Sequence, residues 1–312
     1  MSSAPASGID DTVDWVASHA LAIGAALLAA LAAAVGIVVR QAALHRSAAD
    51  ELTGAVMAAA VRDRLWWAGT AAATAGYAFQ ALALANGSLL LVQPLLVSAL
   101  LFVLPLNAWR THDRVTIPEW GWAILLTAGL TVFVLVGQPG EGHPKNPVPA
   151  WAIALAGIVP IVVICVAAAR RSAGRPRAML LGVAVAVGLG LIAVVTKVCT
   201  RRFADDGWQG LLTIPAPYVL VALAIVVTVM QQWAFRAGAL EASVPVMLVG
   251  EPIVAVVLGA VVLGESLTVE GAGFLALPVA VAAMLAATIA LGRSSGADSG
   301  QPPEPAALAD RR

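Results

Sequence analysis

The stretch Ala242-Ser243-Val244-Pro245-Val246-Met247-Leu248-Val249-Gly250-Glu251-Pro252 opens an apolar run that continues to residue 263 and carries one ionisable side chain, Glu251. A run of this length covers roughly 30 Å of hydrocarbon at about 1.5 Å per helical residue. A carboxylate nine residues into the run has no water to meet and costs several kcal/mol unless it is neutralised, hydrated or paired. Pro252 has no N–H to give, so a backbone carbonyl beside the carboxylate is freed and the helix is expected to open there. Three roles are open to such a group. It can ligate a cation together with freed carbonyls, carry a proton as a carboxyl whose pKa burial raises, or bond a polar residue on a neighbouring helix.

Eight further runs of the same kind surround it. The nine segments are 18–40, 65–86, 88–108, 120–137, 149–169, 178–197, 211–235, 243–263 and 271–291. Across all 312 residues, 60% of side chains are hydrophobic, 12% are charged and mean hydropathy is +0.90. A water-soluble domain carries about 25% charged residues, so this chain cannot wet a soluble surface. None of the runs alternates every second residue as barrel strands do. The fold class is therefore all-α, a polytopic helical membrane protein of about nine transmembrane helices.

Charge orients the path. With the N-terminus outside and nine crossings, all but Lys145, Lys197, Arg201 and Arg202 of the 18 basic residues fall inside. That bias is the positive-inside signal. Asp10, Asp11 and Asp14 precede the first run, which is the wrong flank for a cleaved signal peptide. Trp66, Trp67, Trp109, Trp120, Trp122, Trp151 and Trp233 stand near segment ends, as interfacial indoles do. Residues 1–17 and 292–312 are expected to be disordered, the first outside and the second in the cytoplasm. The 41–63 connection is too polar to span and is expected to form an interfacial or re-entrant helix.

The opening stretch has a counterpart at an offset of 158, Leu84-Ala85-Asn86-Gly87-Ser88-Leu89-Leu90-Leu91-Val92-Gln93-Pro94, which places Gln93-Pro94 on Glu251-Pro252. Tyr77-Ala78-Phe79-Gln80 likewise resembles Trp233-Ala234-Phe235-Arg236. Segments 2–4 thus match segments 7–9. The five crossings between equivalents make the copies antiparallel, giving two inverted structural repeats: a first half of four helices over 18–138 and a second of five over 149–291. Inverted halves suit alternating access about a central site. Glu251, Gln93, Gln80, Tyr77 and Gln231 are the expected substrate- or ion-binding residues, with Pro94 and Pro252 breaking helices beside them. Lys197 is expected to snorkel to the outer surface or to serve as charge partner of Glu251; Glu241 and Glu265 read as interfacial.

Other chemistries lack their residues. No glycine-rich loop leads to a Lys and a Ser or Thr, no HExxH site exists, and Cys165 and Cys199 form no metal or redox motif. The net charge of zero offers nothing to nucleic acid. The expectation is a non-enzymatic protein without a cofactor, whose partners are the lipid bilayer and a small-molecule or ion substrate.

With those motifs in hand, the chain resembles the drug/metabolite transporter superfamily. The resemblance is carried by Ala81-Leu82-Ala83-Leu84-Ala85-Asn86 through Val92-Gln93-Pro94-Leu95-Leu96, and by Ala239-Leu240-Glu241-Ala242-Ser243 through Glu251-Pro252-Ile253-Val254 to Leu263-Gly264-Glu265-Ser266-Leu267. Each half looks like an EamA-like domain over residues 18–291. The family's usual extra crossing is missing where 41–63 stands, and that nine-helix layout resembles the NIPA-like magnesium transporter branch. The resemblance implies secondary transport in the plasma membrane and leaves room for a homodimer. A small organic metabolite or drug is the expected cargo, a divalent cation the alternative, and a non-transporting membrane scaffold or assembly factor the rival from another class.

Overall fold

The computed structural model describes residues 7–48, 63–111, 114–142, 147–237, 240–269 and 273–298. In chain order the helices are α1 (Ser7–Ser18), α2 (Ala20–Ala48), α3 (Arg64–Asn86), α4 (Leu89–Leu96), α5 (Ala99–Thr111), α6 (Ile117–Gly137), α7 (Pro147–Arg171), α8 (Gly174–Thr213), α9 (Ala216–Arg236), α10 (Leu240–Leu258) and α11 (Gly273–Asp298). Two short strands, β1 (Pro139–Gly140) and β2 (Ser266–Leu267), pair antiparallel. Among the described residues, eight stretches are long and apolar enough to cross a membrane, including Ala20–Arg40, Leu89–Arg110 and Ser243–Leu263. The protein is an all-α, polytopic membrane protein.

Local chemistry starts and stops these helices. The Asp63 carboxylate accepts from Leu65 N at 2.9 Å, and Ser88 Oγ accepts from Leu91 N at 3.1 Å, so each side chain caps an amide of a first turn. Glu119 Oε2 accepts from Thr116 N at 2.8 Å, closing a capping box at the head of α6. At its other end Gln138 takes a left-handed φ of 36° and turns the chain into β1.

Packing separates a central layer from a rim. α8 is the axis, and its apolar window is 61% buried, against 17% for α7 and 11% for α9. α7 and α9 therefore present most of their apolar side chains outward, where hydrocarbon would meet them. Small residues let the central helices touch: a Cβ at Gly190 would lie 2.6 Å from Val254 Cγ1, and one at Gly36 would lie 2.9 Å from Ala73 N. These positions bring α8 against α10 and α2 against α3.

The structure departs from the sequence reading in several places. Ser7–Ser18 is helical, where an unstructured N-terminus was expected, and α11 runs on to Asp298. α2 continues through Ala48, while residues 49–62 of the expected interfacial helix lie outside the described residues. α3 has the length of a crossing but is not among the eight apolar spans; Thr70, Thr74, Gln80 and Asn86 dilute its hydropathy. α8 extends well beyond residue 197 and kinks at Gly207, where φ is +63°.

The two Pro-bearing segments also differ from expectation. The first is interrupted after Leu96, where Val97 N and Ser98 N bond three residues back, to Pro94 and Leu95. Those tight turns end the regular helix shortly after Pro94. The second is not broken at Pro252. α10 runs through Pro245 and Pro252, and its interruption comes later as a π turn over Gly259–Leu263, closed by Gly264 at φ 69°.

Candidate functional site

Glu251 sits on the inward side of α10. Met247, Ala255, Leu258 and Val262 share its stripe at helical spacing and are all buried, whereas Ile253, Val257 and Val261 on the opposite side are exposed. The preceding residue, Gly250, lies so close to α8 that a Cβ there would be 2.6 Å from Ala186 Cβ. Glu251 is only half-buried on this inward stripe. Among the described residues it has no hydrogen-bond or ion-pair partner. Because Pro252 offers no N–H, the carbonyl of Leu248 also lacks its helical donor. A carboxylate and a freed carbonyl thus share one stretch of the helix.

The remaining expected residues divide. Gln93 on α4 is 2% exposed, and among the described residues its Nε2 has no partner; Ser243 Oγ, at the start of the α10 span, is likewise buried and unpartnered among them. Buried amide donors are nearly always satisfied, so Gln93 stands ready for water or a bound molecule. Gln80 and Gln231 are half-buried. Tyr77 is 72% exposed. α3 turns Gly69, Gly76 and Ala83 inward at a spacing of seven, and that choice of face leaves Tyr77 outside rather than beside Gln80 in an interior cavity.

Lys197 is where the structure differs most from the expected placement. It is 0% exposed and neither snorkels nor pairs with Glu251. Its Nζ lies 2.9 Å from Glu141 Oε1 and 3.5 Å from Glu265 Oε1, and it donates to the carbonyl of Gly87. Glu265, expected at an interface, is also buried. Its two oxygens accept from Leu89 N and Leu90 N, each at 3.0 Å. Those are first-turn amides of α4, the positive end of the helix dipole. Arg201 completes the group, with Nη2 2.8 Å from Glu141 Oε2 and Nη1 donating to the Gly142 carbonyl at 3.4 Å.

Burial pushes the Glu141 carboxyl up, but hydrogen bonds and charge from Lys197, and then from Arg201, outweigh it and hold the group below the ordinary carboxylate value. Lys197, Glu265, Glu141 and Arg201 sum to zero charge, which is how four ionic groups are tolerated in so little water. The connections after α3, after α6, along α8 and after the π turn all meet here.

Sequence reasoning missed Glu141 and misjudged Glu265. The usable signal was depth: Lys197 and Glu265 each close an apolar run on the same predicted side. Elsewhere, Leu31, Phe102, Pro105, Leu106 and Trp109 line a shallow apolar groove of about 290 Å³ that includes none of the expected site residues. Among the described residues no three of His, Cys, Asp and Glu gather closely enough to hold a metal ion.

No family model matches the chain, and no solved structure matches it. It is 35% identical over 291 residues to an uncharacterized protein of Corynebacterium glutamicum, an alignment that covers 91% of this chain and 98% of that protein. The chain belongs to the same family as that protein.

Proposed function

We propose that this member of the family is a secondary membrane transporter, not an enzyme, that moves a small organic metabolite or drug across the plasma membrane by alternating access. The observation that carries the reading is Glu251: a carboxylate on the inward stripe of a membrane span, half-buried and without a partner among the described residues. A structural acid in such a place is normally paired, and Glu265 in the same chain shows what that pairing looks like. An acid without one is free for a substrate, an ion or a proton.

Gln93 supports the reading as a buried amide with an unused donor on the other Pro-bearing segment. The resemblance to the drug/metabolite transporter superfamily adds the inverted repeat, with Gln93-Pro94 and Glu251-Pro252 as equivalent positions. In this reading Glu251 and Gln93 belong to the central site. Gln80 and Gln231 lie on helices around it, and Tyr77 is outside it in the conformation described. The N-terminus is outside and the C-terminus cytoplasmic.

Reconstitution in liposomes tests the proposal. Uptake of a metabolite panel, and of Mg²⁺ in parallel, is measured with and without an imposed pH gradient. Saturable metabolite flux that falls by about tenfold or more in Glu251→Gln, with the variant still monodisperse, is the expected result. Saturable Mg²⁺ flux abolished by the same change would replace the organic cargo with a divalent cation. Absence of flux for every solute, with a stable copurifying envelope enzyme, would favour the scaffold reading.

A further inference from the structure

We propose that Glu141, Lys197, Arg201 and Glu265 form a latch that closes one end of the transporter, and that this end opens by withdrawal of Glu141 and Arg201 together. The polar bonds at this end tie the first half of the chain to the second. Lys197 donates to Gly87 and Glu141, Arg201 to Glu141 and Gly142, and Glu265 accepts from Leu89 and Leu90. β1, directly after the first half, pairs with β2 of the second, and Thr268 N donates to Gly137 O of the first half at 3.0 Å. Halves that rock against one another must break such ties at one end in each cycle.

The four groups are not equally placed for breaking. Lys197 and Glu265 have side chains at 0% exposure, whereas Glu141 is at 38% and Arg201 at 28%. They therefore divide into an inner neutral pair and an outer neutral pair. Glu141 can leave with Arg201 as an ion pair, and Lys197 still faces Glu265 and the Gly87 carbonyl. Glu265 in turn keeps the two amides of α4. No lone charge is left in the apolar interior, which is the condition that normally forbids opening a buried ion cluster. Glu141 directly follows β1, whereas Arg201 is one turn beyond Lys197 on α8, so the pair leaves by movement of Glu141 and rotation of the Arg201 side chain about a fixed α8.

The latch rests on the transport reading for its purpose but not for its geometry, so it is tested by accessibility instead of flux. In a chain with Cys165 and Cys199 replaced by Ala, Ser88→Cys places a thiol beneath the cluster, at a residue that is 0% exposed and beside Pro139. A membrane-impermeant maleimide is applied to each side of reconstituted vesicles in turn. Labelling is expected to be slow with the latch intact and to speed up by about tenfold, from one side only, when Glu141→Gln removes both of its ion pairs. Glu141→Asp should keep labelling slow. Labelling that stays within about twofold of the parent in both Glu141→Gln and Arg201→Gln, with monodisperse elution, would overturn the latch. If no solute is carried yet Glu141→Gln still exposes the thiol, the transport reading fails and the latch stands.

Discussion

Glu265 and Glu251 are two acids on the same stretch of chain, fourteen residues apart, and the protein treats them in opposite ways. Glu265 is buried, with two backbone amides and a lysine around its carboxylate. Glu251 is half-buried beside a proline, with no partner among the described residues. An acid with both oxygens engaged contributes to holding the structure together. One left idle in a low-dielectric setting is a cost to the fold, and such costs are commonly found where a protein binds or moves something.

The sharpest way to break this contrast is to remove each acid and compare stability. Glu265→Ala leaves two α4 amides and one face of Lys197 unpaired, so the melting transition in detergent should report a loss of about 3–5 kcal/mol. Gly190→Val comes next. A Cβ at that position already meets Val254 at 2.6 Å, and overpacking the α8–α10 contact should cost about 1–3 kcal/mol in the same melt.

Acid provides a smaller effect. Glu141 has its pKa held down, so its contribution is fully present above the ordinary carboxylate value of 4.5 and is lost only as pH falls through the lower folded value. Lys197 and Arg201 are the basic groups facing Glu141, and Glu265 is the other carboxylate facing Lys197. Melting followed from pH 7 downward should therefore be insensitive to Glu141→Gln below that window and sensitive above it. Glu251→Gln should be the least destabilising of these changes, leaving the melt unchanged or raised, because no partner is lost and an unpaired carboxylate is removed. A cost from Glu251→Gln as large as that from Glu265→Ala would erase the distinction between the two acids.

How much of this was readable beforehand can be judged residue by residue. Glu251 was legible because a carboxylate stands out in an apolar run, and its inward orientation agrees with the spacing of Met247, Ala255 and Leu258. Gln93 was legible through its likeness to Glu251 and is buried. Tyr77 and Gln80 were placed together by their spacing of three, yet α3 gave its inner face to glycine and alanine. The break expected at Pro252 appears instead at the π turn, and α10 stays helical through the proline where it packs closely on α8. Lys197 was visible as a charge at a segment end, but its partners were not.

That last failure marks the boundary between the two kinds of information. Hydropathy and charge along the chain determined that this is a multi-pass helical membrane protein and how deep each residue sits along its segment, because the bilayer sorts side chains by depth alone. Which helices are neighbours, and which way each is rotated, is decided by small-residue contacts such as Gly190 on Val254 and Gly36 on Ala73. Only that lateral arrangement brings Lys197 to Glu141, 56 residues away, and Glu265 to Leu89, 176 residues away. Depth is a one-dimensional property that a sequence carries directly, whereas adjacency around the bundle axis exists only once the helices have packed.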